Sequence, residues 1–86
     1  MTSETVLSEI GDIIRRVFRQ PDAVVVRETT AVDVNGWDSL SHTVLILEVE
    51  KHFGLRLPME AVFDLSDVGE LADLVVDVQA GTTPHA

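Results

Sequence analysis

The chain has 86 residues, 45% of them hydrophobic, no cysteine, and 15 Asp and Glu against 6 Lys and Arg, for a formal net charge of −9. That length makes one domain, near the lower end of sizes that fold without disulfides or metal, with room for a core but hardly for a catalytic cleft. Without cysteine there is neither a disulfide framework nor a thiolate metal site, and the compartment is left open by that fact alone. A field of this sign repels nucleic-acid phosphates, which argues against nucleic acid as a partner, and it draws basic protein surfaces at long range. The apolar fraction argues for a compact domain rather than disorder.

The start, "MTSETVLSEIGDIIRR", places polar residues before apolar ones and holds no long apolar run. It reads neither as a signal peptide nor as a membrane span, so a cytoplasmic protein with no membrane partner is expected. Val6, Leu7, Ile10, Ile13, Ile14, Val17 and Phe18 recur at three- and four-residue steps, defining one face of a helix from about residue 3 to 19. Glu4 and Glu9 early, and Arg15, Arg16 and Arg19 late, complement its dipole. From Pro21 to Trp37 no periodicity is sustained, although "AVVV" passes for a short strand with no obvious partner. We read a long ordered loop, a connection whose length requires a functional reason.

Asp38 is a good N-cap for a helix from Ser39 to about Phe53, stopped by Gly54. Pro58 suits the first turn of a short helical piece, "PMEAVFD". In "LSDVGELADLVVDVQAG", Ser66 or Asp67 can cap a helix that buries Val68, Leu71, Leu74, Val75 and Val78 and ends at Gly81. The expected organisation is an all-α small bundle of three main helices and a short one over residues 1–81, followed by a flexible tail over 82–86. At ~100° per residue, Leu45, Ile46, Val49 and Phe53 share one quadrant of the second helix, while Leu40, Val44 and Leu47 gather nearly opposite. A domain this small buries one such face well, so the other is a candidate contact surface.

The junction "NGWDSLSH" poses a question about Ser39, which can be a nucleophile, a helix cap or a handle for covalent modification. A serine nucleophile needs a base, and His42, with Asp38 as a third member, is the available candidate. No oxyanion hole or pocket-forming segment accompanies them, and by angle His42 lies nearer the core side, so no catalytic residue is assigned. His52 and His85 lack ligand partners at useful spacing, and no metal is expected.

"GWDSL" at a loop-to-helix junction, an apolar helix ending in "EKHFGLRLP", and then "FDLSDVGELADLV" together resemble an acyl carrier protein, from about Val6 to Val78. The motif, its position, the Phe-Gly-x-x-x-Pro spacing and the acidic balance agree. The resemblance implies a four-helix bundle with a long first loop and a non-enzymatic carrier whose Ser39 bears a covalent 4′-phosphopantetheine arm, with Asp38 in support. The arm's thiol would hold acyl groups as thioesters. Implied partners are a phosphopantetheinyl transferase and acyl-loading and acyl-processing enzymes (an acyltransferase, ketosynthase or ligase), met by a monomer through Leu40, Val44 and Leu47 with Glu48 and Asp64 nearby. Ser41 is the nearest decoy hydroxyl. Trp37 either anchors the core or covers the base of the arm, packing being preferred. Phe53, Leu57, Val62, Leu65 and Leu71 are read as core residues that in such carriers can part for an acyl chain, and no resting cavity is inferred.

Carriers of fatty-acid synthesis typically have acids soon after the signature leucine, where this chain has Ser41 and Val44, and peptidyl carriers usually have Gly-Gly before the serine, where it has Trp37-Asp38. Trp37 and the "SLSH" stretch are more similar to carriers of polyketide or other specialised pathways. Fatty-acid and aminoacyl carriers are the alternatives within the class; outside it stands an unmodified helical interaction domain that uses the same exposed stripe. The short length and tail favour a free-standing protein.

Overall fold

In a computed structural model, residues 2–81 are described and form four α-helices, with no strand among them. Residues 82–86, expected as a tail, and His85 within them lie outside the described residues. Helix α1 spans Ser3–Val17, α2 Ser39–Phe53, α3 Met59–Val62 and α4 Val68–Ala80.

Each long helix begins on a side chain that accepts one of its unsatisfied N–H groups. Thr2 Oγ1 accepts from the Thr5 N–H, an Asp38 carboxylate oxygen from Ser41 and an Asp67 carboxylate oxygen from Glu70, the last two at 2.9 Å. At Asp38 the contact is reciprocal, because Ser41 Oγ accepts from the Asp38 N–H at 2.9 Å. Gly54 and Gly81 close α2 and α4 in left-handed conformations, φ 66° and 73°. Helix α1 ends two residues earlier than the periodicity suggests, and Arg19 takes the left-handed position, φ 54°, that a glycine would fill more cheaply.

Helix α1 packs on both α2 and α4. Val6, Ile10, Ile13 and Ile14 meet Leu45 and Val49 of α2 and Leu71 and Val75 of α4 in one core, to which α3 adds Val62. Phe53 and Leu65, expected in that core, are only half-buried; Phe53 sits edge-on to His52 at its rim. Among the described residues no helix is long and apolar enough to cross a membrane.

Residues 18–38 form the first loop, ordered without strands and with one 3-10 turn, Ala31–Asp33. The "AVVV" stretch extends over the bundle with Val25 packed on the core and Val24 and Val26 exposed. Its backbone needs partners, and α4 supplies them. The Val68 N–H donates to the Thr29 carbonyl at 2.9 Å and the Gly69 N–H to the Arg27 carbonyl at 2.8 Å. Thr29, a buried polar residue, accepts the Val26 N–H on its hydroxyl. Arg27 forks onto Asp73 at 2.7 and 3.2 Å. Gly69 allows this approach, since a Cβ there would lie 2.9 Å from Arg27 Cβ and 3.0 Å from its carbonyl oxygen.

Candidate functional site

The loop ends where α2 begins, and that junction presents Ser39 as the first residue of the helix, exposed. Its hydroxyl makes no hydrogen bond within the described residues. Ser41 is differently placed: its hydroxyl donates to the Gly36 carbonyl at 2.6 Å and serves in the cap with Asp38. Hydrogen bonds from the Ser41 N–H and hydroxyl hold the Asp38 carboxyl below the usual carboxylate range, so it stays ionised beside Ser39 at neutral pH.

His42 has both ring nitrogens engaged. The Trp37 indole N–H donates to its Nδ1 at 3.0 Å, which leaves the proton on Nε2, and Nε2 then donates to the Val62 carbonyl at 2.8 Å. Neither nitrogen contacts Ser39, so the triad considered from sequence has no geometric basis. Trp37 is a packing residue: it stacks between Phe18 and His42, with ring centroids 5.3 and 5.9 Å away, and Phe63 extends the row at 5.5 Å from His42.

The Trp37, His42 and Phe63 rings line a cavity of about 330 Å³ that includes Ser39, with Val62, Leu65 and Leu71 among its apolar lining. The sequence carried no sign of a resting cavity, because its walls come from the first loop, α2, α3 and the start of α4.

On the outer side of α2, Leu40, Val44 and Leu47 are 78%, 44% and 53% exposed, and Met59 of α3 and Phe63 just after it are exposed too. The carboxylates near this stripe differ among themselves. Glu48 is half-buried and bridges Arg16 at 3.2 Å and Lys51 at 3.6 Å. Glu50 accepts the Leu57 N–H at 2.7 Å, tying the segment after α2 to the helix, and only Asp64 is fully exposed. His52 pairs with Glu9 at 2.6 Å. Among the described residues no group of three His, Asp or Glu side chains could hold a metal ion.

An exposed hydroxyl at a helix N-terminus fits a phosphodiester, since the positive end of the helix dipole faces it. A family model described as "Phosphopantetheine attachment site" matches residues 8–75. The chain is 30% identical over 77 residues to an acyl carrier protein of Acidothermus cellulolyticus, covering 90% of this chain and 92% of that one. To an acyl carrier protein of Rhodococcus erythropolis it is 27% identical over 79 residues, covering 92% and 87%. The solution structure of a holo acyl carrier protein from Geobacter metallireducens superposes with a TM-score of 0.78 at 36% identity, over 93% of this chain and 95% of that one. The free hydroxyl, the capped four-helix frame and these matches together mean that the chain belongs to the acyl carrier protein family, carriers rather than enzymes, with 4′-phosphopantetheine as prosthetic group.

Proposed function

We propose that Ser39 is the attachment residue and that the chain serves polyketide or related specialised biosynthesis. The observation that carries the first half is the contrast between two hydroxyls two residues apart: Ser39 is free and exposed, whereas Ser41 is consumed in the cap of α2. In the loading step Ser39 Oγ attacks the pantetheine-bearing phosphorus of coenzyme A. The P–O bond to adenosine 3′,5′-bisphosphate breaks, and the hydroxyl proton passes to a base on the transferase. Asp38, ionised at the helix start, is placed to help hold the transferase's metal. The arm supplies a thiol that holds acyl groups as thioesters. This chain's residues bind and present: the N-terminus of α2 stabilises the phosphodiester, and Leu40, Val44 and Leu47, with Glu48 and Asp64 at the rim, form the surface offered to the transferase and then to acyl-loading and acyl-processing enzymes.

The pathway assignment rests on Trp37 before Asp38-Ser39-Leu40 and on Ser41 and Val44 in place of acids. Incubation with coenzyme A and a broad-specificity phosphopantetheinyl transferase should add one arm, read as a single mass step. Ser39→Ala should abolish that step and Ser41→Ala should not; the reverse result assigns the arm to Ser41. For the pathway, the loaded carrier should be accepted by a polyketide ketosynthase in preference to a fatty-acid one, and equal or reversed acceptance rejects that half of the reading.

A further inference from the structure

The cavity beside Ser39 has one wall that cannot hold itself. Helix α3 has four residues, far below the length at which a helix is stable alone. Its backbone ties are local: the Ala61 and Val62 N–H groups donate to the Pro58 carbonyl at 3.0 and 3.1 Å, and the Asp64 N–H to the Ala61 carbonyl at 3.1 Å. Met59 is exposed, Phe63 just after the helix is half-exposed against the His42 ring, and Val62 alone of the helix's residues is fully buried. Besides the Val62 side chain in the core, what fixes its last turn to the bundle is the His42 Nε2–H···O=C bond of Val62 at 2.8 Å. That bond exists because Trp37, on the first loop, donates to Nδ1 and so sets the tautomer.

From this geometry we infer that His42 is a positioning residue, a latch joining the first loop, α2 and α3 that sets the size of acyl group the cavity admits. The inference rests on Ser39 being the attachment residue, since that places the cargo at this mouth. With the latch closed, the space is about 330 Å³, at the small end for a ligand site. A larger acyl group must move α3 outward, and α3 cannot move without giving up the Val62 bond in a partly desolvated place. Size selection then follows from one hydrogen bond whose loss leaves two polar groups, the His42 Nε2–H and the Val62 carbonyl, without their partner.

The test separates the latch from the attachment site. In the unmodified protein, amide exchange across residues 59–64 should speed about tenfold in His42→Leu, whereas His42→Gln, which keeps an N–H to offer Val62, should stay within about twofold of wild type. Butyryl, octanoyl and dodecanoyl arms, transferred from their coenzyme A thioesters, are then cleaved with hydroxylamine. In the wild type the dodecanoyl thioester should be cleaved severalfold faster than the octanoyl one; in His42→Leu the two rates should converge, and in His42→Gln the wild-type ratio should return. If His42→Leu does not fold, Trp37→Phe keeps the ring stack, removes the donor to Nδ1, and should move exchange and ratio the same way. Faster exchange with an unchanged ratio would make His42 a packing residue only and overturn the latch. A wild type without size preference overturns it as well, while failure of Ser39→Ala to block loading removes the attachment reading instead.

Discussion

The first loop and α2 meet at Asp38 and together frame Ser39, yet different physics holds them. Helix α2 supplies its own ladder of backbone hydrogen bonds, starts on a carboxylate cap, stops on a left-handed glycine and needs its neighbours only to cover Leu45, Ile46 and Val49. The loop has no ladder. Its carbonyls take the first N–H groups of α4, its Arg27 forks onto Asp73 of that helix, and Arg15 of α1 donates to the Ala23 carbonyl at 2.7 Å. One region is specified by neighbours in sequence, the other by neighbours in space.

Breaking α2 should therefore cost most. Ile46→Ala removes a buried side chain at the centre of the α2 interface, for which a loss of about 2–5 kcal/mol is usual, a large part of a small domain's stability. A clear fall in melting temperature is expected; no change would mean that the inner face of α2 is not what anchors it. Phe53→Ala, at the half-buried rim, should cost less.

The matching lesion in the loop is Gly69→Ala. An alanine would ordinarily favour a helix, but here its Cβ would meet the backbone of Arg27 at 3.0 Å, so loop and helix must separate. A loss of about 1–3 kcal/mol is expected, the usual cost of overpacking. A neutral or stabilising result would show that the loop gives way freely and is not held where it lies.

These two lesions also mark what was legible beforehand. The caps, Gly54, the two faces of α2 and the place of Ser39 at the start of α2 follow from residues within a few positions of one another, and they were readable. The docking of Arg27 on Gly69 and the cavity walls depend on segments far apart in the chain, and no local signal announces them. Glu50 lies between the cases. An acid in the second half of a helix opposes the dipole, a misfit that hints at a dedicated partner, and the Leu57 N–H is that partner.

Acid should loosen the loop before it loosens the core. The Arg27 hydrogen bond holds the Asp73 carboxyl below its usual range, so the stabilisation is present above the unfolded carboxylate's value and is lost as pH falls through the depressed one. Both side chains are about half exposed, so solvent screens the pair and its contribution is small. Asp73→Asn should thus melt slightly below wild type at neutral pH, and the gap should close as pH falls below the ordinary carboxylate range. A gap constant with pH would mean that charge plays no part in holding the loop. A change of similar size and opposite sign is expected where the loop leaves α1: Arg19→Gly relieves a left-handed non-glycine residue and should stabilise by about 1 kcal/mol.

The smallest effect on stability belongs to the outer face of α2, and there the comparison reaches function. Leu47 is as apolar as Ile46 beside it in sequence, but it is 53% exposed where Ile46 is 4%. Leu47→Glu removes no packed core atom and adds an acid to a surface already rich in them, so its melting temperature should stay within about 0.5 kcal/mol equivalent of wild type. If the stripe of Leu40, Val44 and Leu47 is the centre of the docking surface, the same substitution buries a charge under the incoming transferase, and loading should slow by roughly tenfold or more, since a central apolar anchor is commonly worth above 1 kcal/mol. Raising the salt concentration should act on the association rate alone and more mildly, because the rim carboxylates steer the encounter and are screened. Melting temperature and loading rate on that one variant separate the alternatives: a destabilised protein would make Leu47 part of the core, and a stable one that loads at the normal rate would remove it from the transferase interface.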